Sequence, residues 1–268
     1  MCGSGDLALL LAPRRPNHDL KSGFLLLTEP KRRSPLSIGA VVDLAFEAYW
    51  ADLRFYFALA IAAFAFQAAI GLPLGNVPGA EWWLEAANLA TDAFVAGCVS
   101  VGVAARLRDE PLPPRAILAR VARRWWAIVF VDLIVWLIRL LTFGFVFGGL
   151  EATGYYTLVL PTLVLWGSLL CADVIASIDD ETPLPALPGL ALVRSVVLSL
   201  NRRNLGRVTI LSVITVPAVM LSMVLDDVFK MHGVPLHTFW SSIPLDALLV
   251  GPYQALFAVF YLDLLKRA

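Results

Sequence analysis

The sequence predicts an all-α integral membrane domain: six transmembrane helices arranged as three tandem hairpins, each hairpin preceded by a cytoplasmic amphipathic helix in the membrane interface. Three observations carry this. The 268 residues are 59% hydrophobic and only 16% charged, with a mean hydropathy of +0.76, whereas an average soluble domain holds about 45–50% apolar and about 25% charged residues. Six stretches of spanning length contain almost no charge. The basic residues alternate between loops with nearly perfect asymmetry.

A bilayer core about 30 Å thick needs about 20 apolar residues in a helix. Residues 55–74 form the first such run and carry no charge. Residues 86–105 form the second, interrupted by Asp92, and 125–150 the third, with Asp132 and Arg139. Residues 152–172 and 208–225 are the uncharged fourth and fifth; 238–262, the sixth, contains Asp246. Orientation follows from Lys and Arg. Seven precede the first run, six lie between the second and third, four between the fourth and fifth, and two follow the sixth. The opposite loops hold only Lys230. Both termini are therefore expected in the cytoplasm, and the protein in the cell membrane.

Residues 1–35 read as a flexible basic cytoplasmic tail, with Pro13, Pro16, Pro30 and Pro35 punctuating it. The run from Leu7 to Ala12 is too short to span, and no basic region precedes it, so it does not fit a signal peptide. Residues 36–268 form the membrane domain.

An amphipathic segment stands before each odd-numbered span. In 38–54, Ile38, Val42, Ala45, Phe46, Tyr49 and Leu53 share a face opposite Asp43, Glu47 and Arg54. In 115–124, Ile117, Leu118 and Val121 oppose Arg115, Arg120 and Arg123. In 190–203, Leu190, Val193, Val196, Val197 and Leu200 oppose Arg194, Ser195, Asn201 and Arg202. Such helices lie in the interface with their basic side toward anionic headgroups. The connection Arg108-Asp109-Glu110-Pro111-Leu112-Pro113 is echoed by Asp179-Asp180-Glu181-Thr182-Pro183-Leu184-Pro185. Helix, span out and span back thus occur three times, the mark of one supersecondary unit copied in tandem. Because each copy holds two spans, the repeats are parallel rather than inverted.

Ala45-Phe46-Glu47-Ala48-Tyr49, then Leu192-Val193-Arg194-Ser195 leading to Asn201-Arg202-Arg203-Asn204, and the closing Phe260-Tyr261-Leu262-Asp263-Leu264-Leu265-Lys266-Arg267, resemble the membrane domain of glycerophosphoryl diester phosphodiesterases and its stand-alone relatives. The resemblance covers residues 36–268. It implies a prokaryotic multi-pass protein near phospholipid chemistry. The catalytic barrel that the family joins to this domain needs about 250 residues, for which this sequence has no room, so the phosphodiesterase activity is not carried over.

Two sets of side chains are candidates for function. Charges inside spans mark function or assembly: Arg139 reaches the depth of Asp92 and Asp246, with Asp132 two turns before it on the same face. They form either a polar path between the hairpins or ion pairs that set which hairpin packs on which. The second set is the basic knots Arg120, Arg123, Arg124 and Arg202, Arg203, Arg207, as contacts for anionic headgroups. Asp226, Asp227, His232 and His237 share one loop, but their spacing matches no metal motif. Cys98 and Cys171 lie in apolar runs, where a thiol is inert. Nucleotide loops, Cys-x-x-Cys pairs and nucleophile motifs are missing from the sequence, and 21 basic against 21 acidic residues give no field for nucleic acid.

The expected protein is therefore a non-enzymatic, lipid-associated scaffold or accessory protein without cofactor or metal, its partners membrane lipids. A small permease is the alternative, and a protein partner stays open.

Overall fold

A computed structural model describes residues 36–74, 77, 79, 81–153, 159–180, 182–214 and 242–265. Some side chains inside these helices, those of Arg139 and Asp246 among them, lie outside the described residues, as do the tail 1–35 and the loop carrying Asp226, Asp227, His232 and His237. The chain divides into two units, 1–34 and 35–268, and the described residues all belong to the second.

Among the described residues every regular element is helical. Helix α1, Ile38–Ala51, starts at Ser37, whose hydroxyl accepts the Ala40 N–H at 3.1 Å, satisfying one of the free donors of the first turn. It stops at Asp52, and α2, Leu53–Leu74, begins at once: the Asp52 carbonyl accepts from the Phe55 and Tyr56 N–H groups. One residue therefore ends one helix and opens the next. Helix α3, Glu81–Leu107, closes on Asp109 at φ +59°, with the Glu110 N–H returning to the Ala105 carbonyl at 3.0 Å. This is a left-handed helix stop, here with Asp where glycine is commoner.

The next two elements depart from the expected boundaries. Helix α4 runs unbroken from Pro114 to Thr153, forty residues and about 60 Å. The second amphipathic segment is thus not a separate interfacial helix: it is the base of the third long helix. Nothing in the sequence breaks it, since no glycine or proline occurs between Pro114 and Gly144, and Pro114 sits where a helix start accepts it. The return helix begins later than expected, as α5, Val159–Leu169, and after a turn at Leu170-Cys171 continues as α6, Ala172–Ile178. Asp173 does not end it. It lies buried in the first turn of α6, where the helix dipole favours a carboxylate. Helix α7, Leu187–Leu200, stops at Asn201, and the Asn204 side chain donates to the Leu198 carbonyl at 2.8 Å. Helix α8, Leu205–Ile214, and α9, Ser242–Leu265, complete the described chain.

Helix α3 is the centre. From Val95 to Ala105 it is buried on every side, and α2, α4, α6 and α9 pack on it; a helix apolar all round belongs inside. The last turns of α9, from Ala255 to Leu264, form the second pillar of the core. Close approach uses glycines. At Gly251 of α9, a Cβ would lie 2.5 Å from the Tyr49 hydroxyl, and at Gly102 of α3 one would overlap the Tyr56 hydroxyl. These two tyrosines stack on each other, 5.1 Å between ring centroids.

Helix α1 lies along α9. Leu36 meets Asp263 near the end of α9, and Tyr49 meets Gly251 twelve residues earlier, about 18 Å along the axis. Its apolar residues therefore divide. Val41, Ala45, Ala48 and Tyr49 face inward, whereas Phe46 and Trp50 remain exposed beside Glu47.

Two helices among the described residues are long and apolar enough to cross a membrane, over Leu53–Ile70 and Trp82–Leu107, with mean hydropathies of 1.7 and 1.4. Val164–Ile178, Leu187–Leu200 and Leu205–Ile214 are shorter apolar helices. Large side chains point outward from several elements: Phe57, Ile61 and Phe66 on α2, and Phe130, Leu133, Leu137 and Leu141 on α4. Monomeric soluble proteins rarely expose large apolar patches.

Candidate functional site

At one end of the bundle each of the three helical units closes on an ion pair. In the first, Arg106 at the end of α3 meets Asp52, the residue between α1 and α2, at 2.8 Å. In the second, Arg124 on α4 meets Asp180, just past α6, at 3.0 Å, and Arg120 joins the same carboxylate. In the third, Arg207 at the start of α8 meets Asp263 near the end of α9. The partners stand 54, 56 and 56 residues apart. Each pair ties the beginning of a unit's outgoing helix to the end of its returning one. The first has the charges reversed, with the acid on the outgoing side.

The pairs differ in burial. Asp52 and Arg106 are each about 40% exposed, so solvent screens them and their net contribution is small. Arg207 and Asp263 are 12% and 1% exposed. The Asp263 carboxylate also accepts the Leu36 N–H at 3.0 Å, Arg207 donates to the Leu36 carbonyl at 2.7 Å, and its guanidinium lies 5.6 Å from the centre of the Phe260 ring. This clamp gathers the start of the described chain, α8 and α9 at one point.

The second pair extends into a network joining the second and third units. Arg120 donates to the Ile178 carbonyl and Arg124 to the Asp179 carbonyl. Asp179 accepts from the Thr182 hydroxyl at 2.7 Å and pairs with Arg194 of α7. Beside it, Arg108, Glu110, Leu112, Arg120 and Ile178 line a small cavity of about 60 Å³.

The six arginines expected at headgroups therefore separate into two groups. Arg120, Arg124 and Arg207 are tied to carboxylates and carbonyls of their own fold. Arg123, Arg202 and Arg203 are exposed and make no ion pair among the described residues. Of the intramembrane cluster, Asp92 on α3 and Asp132 on α4 are half-buried, and each takes part in a polar or electrostatic interaction. The side chains of Arg139 and Asp246 lie outside the described residues. Cys98 and Cys171 are fully buried and unpaired with each other. Burial also pushes the Tyr49 phenol above its ordinary pKa.

Comparison with protein-family models, curated proteins and solved structures gives no match. The chemistry must be read from the site itself.

The sequence reading missed the acids. Asp52, Asp180 and Asp263 hold the arginines, and the signal available was their near-constant spacing from Arg106, Arg124 and Arg207.

The face of α7 is the other unexpected feature. Ala191, Ser195 and Ser199 are buried, with Ser195 donating to the Ser168 carbonyl of α5 at 2.7 Å. Leu190, Val193, Val197 and Leu200 point outward, Val197 at 64% exposure. The sequence reading placed Ser195 with Arg194 on the solvated side. The structure instead turns Ser195 and Ser199 inward together with Leu187, and Val193, Val197 and Leu200 outward together with Arg194.

Proposed function

We propose that this chain is a non-enzymatic multi-pass membrane protein that associates with anionic lipids at its ion-paired end. The single observation that carries the reading is α7, on which Ala191, Ser195 and Ser199 are buried while Leu190, Val193, Val197 and Leu200 are exposed. Water as the outer solvent rewards the opposite arrangement; hydrocarbon accepts this one, because close packing of small residues drives helix association there. The outward rows on α2 and α4 support the same solvent. In this reading six helices cross the bilayer, both termini are cytoplasmic, and the ion-paired end faces the cytoplasm, where the loops hold 19 of the 21 basic residues.

Arg123, Arg202 and Arg203 are then the headgroup contacts, and Arg120, Arg124 and Arg207 serve the fold. The resemblance to the membrane domain of glycerophosphoryl diester phosphodiesterases agrees with a place among phospholipids. The role is that of a scaffold or accessory protein. The test is reconstitution into nanodiscs of phosphatidylcholine alone or with one third phosphatidylglycerol. The reading expects higher thermal stability in the anionic discs, and loss of that gain in Arg123→Gln/Arg202→Gln/Arg203→Gln. Equal stability in both discs refutes it.

A further inference from the structure

A second feature recurs beside each ion pair. Next to the charges that close each unit stands an exposed arginine that the pair does not use. Arg54 follows Asp52 by two residues, Arg123 adjoins Arg124, and Arg202 and Arg203 precede Arg207. None of these four makes an ion pair among the described residues.

Each is flanked by large apolar side chains that also point outward. Trp50 and Phe57 bracket Arg54, Trp126 and Phe130 follow Arg123 at helical spacing, and Leu200 and Leu205 bracket Arg202 and Arg203. At the first unit the apolar side widens into an open trough of about 480 Å³, lined by Phe46, Glu47, Trp50 and Ala51. Trp50, 66% exposed, lines that trough and precedes Arg54 by four residues. A guanidinium fork matches the oxygens of a phosphate, and indole rings settle at the level of headgroups and glycerol backbones. An exposed arginine beside an exposed ring therefore fits the two halves of one molecule, an anionic phospholipid.

We propose that the chain holds three anionic phospholipids, one at each structural unit, with the phosphate on the exposed arginine beside the unit's ion pair and the glycerol and upper acyl carbons against the neighbouring apolar side chains. The sites are Arg54 with Trp50, Arg123 with Trp126, and Arg202-Arg203 with Leu200 and Leu205. The first was not among the headgroup contacts expected from the sequence. Glu47, lining the first trough, makes that site the weakest of the three. The inference rests on the lipid-associated reading above and adds the number, position and equivalence of the sites.

The experiment is native mass spectrometry of the full detergent-purified chain, titrated separately with phosphatidylglycerol and phosphatidylcholine. The expected result is three phosphatidylglycerol molecules retained in preference to phosphatidylcholine. The number falls to two in Arg54→Gln, in Arg123→Gln and in Arg202→Gln/Arg203→Gln, and the preference disappears when all four are changed. Arg54→Lys keeps three, and Glu47→Gln raises retention of the third. Preferential retention that Arg54→Gln leaves at three overturns the three-site inference while the lipid-associated reading stands. Equal retention of the two lipids by the unaltered chain overturns both.

Discussion

The clamp formed by Arg207, Asp263 and Leu36 holds the most deeply buried ion pair among the described residues. Arg207→Leu removes the cation from a carboxylate that is 1% exposed. It also removes the donor to the Leu36 carbonyl and the contact with the Phe260 ring. Asp263 then keeps the Leu36 N–H but loses its cation while its carboxylate stays buried. Breaking a buried pair from one side costs about 3–5 kcal/mol. The lost bond to the Leu36 carbonyl and the lost ring contact fall within that figure, because the stranded charge dominates. Asp263→Asn should cost less, since an amide oxygen still accepts from Leu36 and Arg207 keeps its carbonyl partner and the ring. The double variant Arg207→Leu/Asp263→Leu carries no buried charge. Its remaining cost is the loss of the two hydrogen bonds that Asp263 and Arg207 make to Leu36, about 1–3 kcal/mol each because both are bonds to charged groups. Unfolding in mixed micelles of rising SDS content reads all three together with Asp263→Leu, and the cycle of Arg207→Leu and Asp263→Leu should give a coupling above about 1.5 kcal/mol. A cost below about 1 kcal/mol for Arg207→Leu, with no coupling to Asp263→Leu, would refute the reasoning.

The first ion pair should behave differently. Asp52 and Arg106 are each about 40% exposed, so Asp52→Asn is expected to cost at most about 1 kcal/mol, and 0.5 M salt should abolish the difference, as the same unfolding assay will show. Gly251→Ala places a methyl group 2.5 Å from the Tyr49 hydroxyl; overpacking of this kind costs about 1–3 kcal/mol, and Tyr49→Phe should recover part of it in a double variant. On α7, Ser195→Leu forces a large side chain into the contact with Ser168 and should cost about 1–3 kcal/mol, whereas Val197→Leu should stay within about 0.5 kcal/mol. Val197→Asp separates the two solvents: facing lipid it lowers the amount of protein in the membrane fraction, while facing water it is neutral.

Charge-poor runs were a good guide to the long helices. The runs 55–74, 86–105 and 238–262 fall within or close to Leu53–Leu74, Glu81–Leu107 and Ser242–Leu265. They failed where charge was used to draw a backbone boundary. Arg123 and Arg124 change what surrounds a helix but do nothing to its hydrogen bonds, so α4 passes through them. Asp173 likewise sits inside the returning segment. The amphipathic pattern of 190–203 showed that α7 has two unlike faces, but a pattern cannot say which one meets neighbouring helices. Ser195 is inward because Ser168 lies opposite it, a fact about tertiary packing. The same holds for the basic knots. Arg120 and Arg123 look alike in sequence, and only the return of Asp180 to α4 distinguishes the arginine that holds the fold from the one left at the surface.

The central claim is that the hairpins cross a bilayer with the ion-paired end in the cytoplasm. Single cysteines in a background lacking Cys2, Cys98 and Cys171 test it, with a membrane-impermeant maleimide applied to intact cells. Val77→Cys and His232→Cys should label from outside, whereas Glu110→Cys and Pro185→Cys should label only after permeabilisation. Labelling of Val77→Cys and Glu110→Cys from the same side, or the reverse pattern, would contradict the account.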